Sequence, residues 1–271
     1  MKYDERPKKP FQKKADAGAH RPDAREKIEN TTVEGKNAVW EALSSGRQID
    51  KLYLATGTIS ANGRIVAEAR KRKVPVSECD RRKLDKMSKT GAHQGVIAVC
   101  AEAAYATFDA PFRRAEQKGE ALLLIVCDGV TDPHNLGAII RSAEVSGAHG
   151  VIISEKRSAG LNAACAKAAA GALEHIPVVR TKSVSSAVIQ LAEKGVRCIA
   201  ADSGGDQSMY EVSFKGPCAI VIGSEGSGVS ADVRKRCACI VSIPQKGAIT
   251  SLNASNAAAV LLYETYRQRN G

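Results

Sequence analysis

Beyond residue 120 the chain alternates between short runs of Val, Ile, Leu and Ala and longer stretches whose apolar positions recur every three or four residues. The runs at 122–127, 150–154, 176–179, 196–201, 219–223 and 239–243 are nearly all apolar, the pattern of strands covered on both faces. Between them, 134–146, 160–172, 183–194 and 254–269 carry helical spacing. This order predicts an α/β fold with a mostly parallel sheet over 121–271. A smaller globular α/β unit over 31–104 precedes it, with helices at 36–43 and 62–73 and strands at 51–55 and 95–100. Residues 105–120 (YATFDAPFRRAEQKGE) break the pattern and read as a linker. The first 30 residues, rich in Lys, Arg, Asp and Pro, have no apolar period and read as a disordered basic tail. That tail is either a solvated leader or a non-specific arm for RNA. No repeat of solenoid period is present.

Charge sharpens the picture. The 271 residues carry 40 basic and 29 acidic side chains, a net +11, which points to a polyanionic partner, nucleic acid before a membrane surface. Within 46–90, 12 Lys and Arg against 5 Asp and Glu give 12 − 5 = +7, so most of the excess sits in the small N-terminal unit. Clusters such as Arg70–Lys73 and Arg81–Lys83 mark a surface that follows phosphates without reading bases. Aromatics are 4%, too few for a platform that stacks unpaired bases. No leader or membrane-crossing run is visible, and the eight scattered cysteines fit reduced, buried thiols of a cytoplasmic protein. Cys237-Ala-Cys239 lacks the spacing of a metal or redox pair, so no metal is expected.

Open α/β sheets bind ligands beyond the carboxyl ends of their strands, and three loops there carry candidate chemistry. The first is Asp128-Gly-Val-Thr-Asp-Pro-His-Asn-Leu-Gly-Ala-Ile-Ile-Arg141. Asp132 suits an N-cap and Pro133 the first helical position, which puts Asn135 in the first turn. Gly137 inside that turn implies a close approach to the backbone. Arg141 lies six residues past Asn135, about 120° around the helix, so the two flank a ligand from different sides. The second is Gly223-Ser-Glu-Gly-Ser-Gly228, whose glycine order is not that of a dinucleotide fingerprint, which weighs against a nicotinamide-dependent oxidoreductase. Glu225 is its one ionisable group. The third runs from Ile243 to Asn256 (IPQKGAITSLNASN), where Ser251, Asn253 and Ser255 are possible caps beside apolar Ile243, Ile249 and Leu252, a mixture suited to an adenine ring.

Together the strings DGVTDPHNLGxxxR, IGSEGxG and IPxxGxxxSLN resemble the three signature motifs of the SPOUT methyltransferases, with the TrmH-type RNA ribose 2′-O-methyltransferases as the nearest branch. The likeness spans 121–271, while 31–104, with Gly91-Ala-His-Gln-Gly95 near its end, resembles the small RNA-binding domain of the RlmB-like enzymes that methylate a guanosine of 23S rRNA. The resemblance implies a C-terminal trefoil knot, S-adenosyl-L-methionine as methyl donor and a homodimer built on the methyltransferase domain. Carried across, it assigns donor contacts to Gly223, Ile243 and Leu252 and the catalytic set to Asn135, Arg141, Glu225, Ser251 and Asn253. Guanidinium does not give up its proton, so Arg141 is read as stabilising a developing alkoxide or a flanking phosphate, with Asn135 and Ser251 orienting the ribose. Glu225 either takes the hydroxyl proton or braces the loops. The expected partner is RNA, 23S rRNA first. The rivals are a tRNA ribose 2′-O-methyltransferase and a non-catalytic RNA-binding or ribosome-assembly protein of the same fold.

Overall fold

The computed structural model describes residues 31–47, 49–100 and 104–271; the tail expected over 1–30 lies outside the described residues. The N-terminal unit runs β1 (Thr31–Glu34), α1 (Lys36–Ser44), β2 (Ile49–Ala55), α2 (Gly63–Lys71), β3 (Val76–Cys79), α3 (Arg81–Met87) and β4 (Val96–Cys100). Its sheet has the order β1-β4-β2-β3, antiparallel except for β2 with β3. Val96, Ala98 and Cys100 of β4 face a core shared with α1 and α2, whereas Ile97 turns to a small cluster with Leu84 of α3. The helices and strands expected at 36–43, 51–55, 62–73 and 95–100 are present, with shifts of at most two residues at their ends. Strands β1 and β3 and helix α3 are additions, short elements with little room for a period.

The GAHQG string closes this unit. Gln94 and Gly95 are left-handed (φ 53° and 79°), and the Gln94 carbonyl oxygen of the side chain accepts from the Lys36 N–H opening α1 at 3.2 Å. His93 is buried; its Nδ1 accepts from Gly95 N–H at 3.0 Å and its Nε2 faces Asp85 at 2.9 Å. Buried Glu34 accepts from Ser88 Oγ, Lys89 N–H and Thr90 Oγ1 at 2.5, 2.7 and 2.6 Å. Burial alone would raise its pKa, but these donors outweigh it and hold the carboxyl below its ordinary value.

The second unit continues with α4 (Ala110–Lys118), β5 (Leu123–Asp128), α5 (Pro133–Val145), β6 (Gly150–Ser154), α6 (Ala163–Ala169), β7 (Val178–Thr181), α7 (Val184–Glu193), β8 (Arg197–Ala201), β9 (Gln207–Ser208), β10 (Cys218–Gly223), α8 (Ala231–Arg234), β11 (Cys239–Ser242) and α9 (Ala254–Asn270). Seven strands form one sheet in the order β7-β6-β5-β10-β8-β11-β9, and every pair is parallel. Both faces are covered, as the unbroken apolar runs required. Leu123, Ile125 and Cys127 of β5 pack on the core beneath α5, α6 and α9, while Leu124 and Val126 pack on the opposite core with α4 and α7.

Several boundaries differ from expectation for local reasons. Residues 105–120 are not a bare linker: Asp109 and Pro111 open α4, and Phe112 and Ala115 seat it on the sheet. Pro111 lies over Gly150, where a Cβ would come within 2.5 Å of its Cγ. Charged residues around that narrow apolar stripe hid the helix. Helix α6 is shorter than the expected 160–172, because Asn162 caps Cys165 N–H at 3.0 Å and Ala170 turns left-handed at φ 49°. The strand expected at 176–179 begins at Val178, since Pro177 has no N–H to donate. The two units touch through β1, which packs on α6, and through α1 and the turn after it: Glu41 of α1 meets His175 at 2.9 Å, and Arg47 pairs with Glu174 at 2.7 Å, both largely buried.

Candidate active site

Helix α5 begins as its sequence requires, with Asp132 accepting from His134 N–H at 2.9 Å and Pro133 following. Gly137 admits α6 so closely that a Cβ there would lie 2.5 Å from Ala168 Cβ and from the Cys165 carbonyl oxygen. Asn135, one turn in, is buried. Its Nδ2 donates to Glu225 Oε1 at 2.6 Å. Asn253 reaches the same place from the other end of the domain, donating through Nδ2 to Glu225 Oε1 at 2.6 Å and to Asn135 Oδ1 at 3.0 Å. Its own Oδ1 caps α9, accepting from Ser255 N–H at 2.9 Å and Ser255 Oγ at 2.6 Å. Three residues drawn from three separate loops thus form one hydrogen-bonded triangle. Glu225 Oε1 takes both amide donors, and Oε2 has no partner among the described residues.

Beside the triangle lies a cleft of about 370 Å³ at the carboxyl ends of β8, β10 and β11, lined by Gly223, Glu225, Ile243, Ser251 and Leu252. Of the eight site residues named from sequence, these five share its wall, and Glu225 joins it to Asn135 and Asn253. Arg141 stands apart: it is exposed on α5, outside the cleft, with no hydrogen bond or ion pair among the described residues. The loop after β10 folds back on itself, Ser224 and Gly228 exchanging backbone hydrogen bonds at 3.1 and 2.9 Å. Gly223 is obligatory there, since a Cβ would fall 2.0 Å from the Gly228 carbonyl carbon. Sequence reading missed Asp202 and Ser203, which line the cleft from the loop after β8. Their signal was positional only, at the end of a buried strand. Asp202 accepts from Gly204 N–H at 3.0 Å and lies 3.5 Å from Arg234.

This cleft suits an adenosyl sulfonium group. Its volume is within the range of small-ligand sites, its loops expose backbone polar groups, and Ile243, Leu252 and Val241 offer apolar surface for a ring. Among the described residues no cluster of His, Cys, Asp or Glu has metal-binding geometry. Four thiols near the sheet, Cys127, Cys165, Cys198 and Cys237, are pushed up to about 12 by burial and stay protonated at neutral pH. No described helix is long and apolar enough to cross a membrane.

Comparison with known proteins places this architecture. Residues 122–263 match the SpoU rRNA methylase family, and 32–106 match the substrate-binding domain of RNA 2′-O ribose methyltransferases. A Bacillus subtilis protein named as a TrmH family tRNA/rRNA methyltransferase is 41% identical over 239 residues, covering 88% of this chain and 96% of the relative. A Mycolicibacterium gilvum protein named only as a tRNA/rRNA methyltransferase is 39% identical over 270 residues, covering 98% and 86%. Among solved structures, the SpoU methyltransferase AviRb of Streptomyces viridochromogenes, in complex with AdoMet, superposes with a TM-score of 0.75 at 28% identity over 89% of this chain and 90% of that one. With the family matched across both its sheet domain and its N-terminal unit, the chain belongs to the SpoU rRNA methylase family of RNA 2′-O-ribose methyltransferases.

Proposed function

We propose that the protein uses S-adenosyl-L-methionine to methylate a ribose 2′-hydroxyl in RNA, with a guanosine of 23S rRNA as the substrate. The observation that carries this reading is the Asn135–Glu225–Asn253 triangle set into the wall of a glycine-edged cleft. Gly223, Ile243 and Leu252 would hold the donor, with Asp202 and Ser203 beside them. When bound, the donor supplies an electrophilic sulfonium methyl group. Everything else falls to the chain. Glu225 Oε1 is fixed by two amide donors and so braces the loops, which leaves Oε2 as the atom able to accept the hydroxyl proton. The two roles open in the sequence are then divided between two oxygens of one carboxylate. Ser251, exposed on the cleft wall, orients the ribose; Arg141, exposed on α5 outside the cleft, is free to stabilise negative charge that bound RNA brings to it.

A knotted C-terminus belongs to the same reading. Its support is the place of β11, which enters between β8 and β9, so that the loop joining those two strands passes close over it: a Cβ on Gly205 of that loop would lie 2.7 Å from the Val241 carbonyl carbon. A homodimer is supported by apolar side chains on two helices packed together: Val145 of α5 is 60% exposed, and Tyr263 and Tyr266 of α9 are 53% and 50% exposed. A cytoplasmic setting is supported by thiols buried in the sheet cores. The preference for rRNA over tRNA rests on the basic N-terminal domain, suited to a large folded RNA.

Transfer of tritium from labelled donor to total RNA, followed by mapping of the modified ribose, tests the proposal. Label at one 2′-O position of 23S rRNA is the expected result; label on tRNA would shift the substrate, and no transfer with no calorimetric binding of the donor would restore the non-catalytic reading.

A further inference from the structure

A second groove, of about 660 Å³, opens at the carboxyl ends of β5, β6 and β7, on the other side of the loop that follows β10. Ser224, Ser227 and Gly228 line both this groove and the donor cleft, so the two are neighbours across one turn of chain. None of its features is used by the triangle. Lys156 and Arg157 enter from the loop after β6, and Lys182 from the end of β7.

Its charge is the informative property. Two carboxylates line it, and both are already engaged: Asp128 Oδ2 accepts from Ser230 N–H at 2.8 Å, and Asp232 Oδ1 from Arg236 Nη2 at 3.1 Å. The three cations have no acidic partner among the described residues, so they do not form a structural ion-pair network. Helix α7 starts in the same wall. Ser183 caps it by accepting from Ser186 N–H at 3.2 Å, and its first N–H groups have no acceptor within the helix. Serine hydroxyls from β6, α7 and the loop after β10 complete the lining, and no aromatic side chain contributes. Such a surface holds phosphate oxygens and has nothing on which to stack a base.

We propose that this groove is a phosphate subsite that seats the RNA backbone beside the ribose being methylated, with Lys156, Arg157 and Lys182 as its positioning residues. The inference rests on the methyl transfer proposed above, because it takes the shared loop as the boundary between donor and acceptor. A subsite reached from the donor cleft across a single turn lets one nucleotide present its 2′-hydroxyl while its phosphate is fixed next door.

The test is the full chain carrying K156Q, R157Q and K182Q together, compared with wild type on unmodified 23S rRNA transcript and on a short mixed-sequence single strand. RNA affinity is expected to fall about tenfold or more, and the slope of log affinity against log salt to drop by about 2, near 0.7 for each lost phosphate contact. KM for RNA should rise with kcat at saturating RNA and calorimetric donor affinity both within about twofold of wild type, which separates this site from the donor cleft. The K156R and K182R pair should keep wild-type affinity. Unchanged RNA affinity and salt slope in the triple variant would overturn the subsite. If wild type binds donor but methylates no RNA, the proposed reaction fails, and the RNA-binding comparison still decides whether the groove holds phosphate.

Discussion

At position 253 one asparagine side chain both caps α9 and joins the Asn135–Glu225 pair, so two substitutions there separate stability from chemistry. Asn253→Ala should cost about 1 kcal/mol in denaturant unfolding, the usual loss for an N-cap, and lower turnover as well. Asn253→Asp keeps the capping oxygen but sets a second carboxylate against Glu225, so unfolding changes less while single-turnover methyl transfer still falls. Arg141 is the opposite case. Because it is exposed and makes no hydrogen bond or ion pair among the described residues, Arg141→Ala should leave the melting temperature unchanged while turnover drops roughly 10²–10³-fold, the scale of one lost charge-stabilising donor. Arg141→Lys should recover only part of it, since an ammonium lacks the planar fork. A third residue governs acid stability. His149 is buried, its Nδ1 accepts from Leu123 N–H at 3.0 Å, and its Nε2 faces Glu120 at 3.1 Å. Burial lowers its pKa, outweighing the pull of Glu120. The fold therefore holds it neutral while the unfolded chain takes up a proton below about pH 6.5. Its stabilising contribution is complete above that pH and is lost as pH falls towards the folded value, by up to about 1.4 kcal/mol per unit. His149→Gln should flatten that limb in unfolding measured from pH 7.5 to 5.5. The members of the triangle were readable as residue types in three motifs; that Glu225 would receive both amides was not, because its partners lie 90 and 28 positions away along the chain.

Elements were legible where one force dominated. Buried parallel strands show up as unbroken apolar runs, and α5 is announced by Asp132 and Pro133. Helix α4 was missed because its apolar side is narrow and its flank charged; β9 and α8, at two and four residues, are too short to hold a period. Gly137 shows how a local anomaly can be read correctly without its cause. Its presence inside a helix implied a close neighbour, and the neighbour is α6, packed so tightly that Gly137→Ala forces Ala168 and the Cys165 carbonyl aside. That substitution should destabilise the protein by about 1–3 kcal/mol in chemical denaturation despite Ala being the better helix former. A stabilised variant would mean that α5 and α6 are farther apart than described.

For the molecule as a whole, sequence indicated two units and a basic N-terminal one but not how they meet, because the packing of β1 on α6 and pairs such as Arg47 with Glu174 join residues more than 120 positions apart. Nor could it reveal which helices stay uncovered. Val145, Tyr263 and Tyr266 leave an apolar surface on α5 and α9, and replacing Val145 and Tyr263 by Asp should convert the proposed dimer to monomers in sedimentation velocity with the far-ultraviolet circular dichroism unchanged, whereas a monomeric wild type would remove the dimer altogether. An unaltered sedimentation coefficient would move the interface elsewhere. The order of strands carries a last consequence, for synthesis. Strand β10 sits between β5 and β8, pairing Cys218 with Leu123 on one side and with Arg197 on the other. A ribosome that has not yet released residue 223 therefore holds the β7-β6-β5 ladder with a naked apolar edge and β8 with no strand to pair with. The keystone arrives late, so the nascent chain must be shielded until residue 223 is made, and messages cut short before that strand should yield aggregates and not a smaller working enzyme.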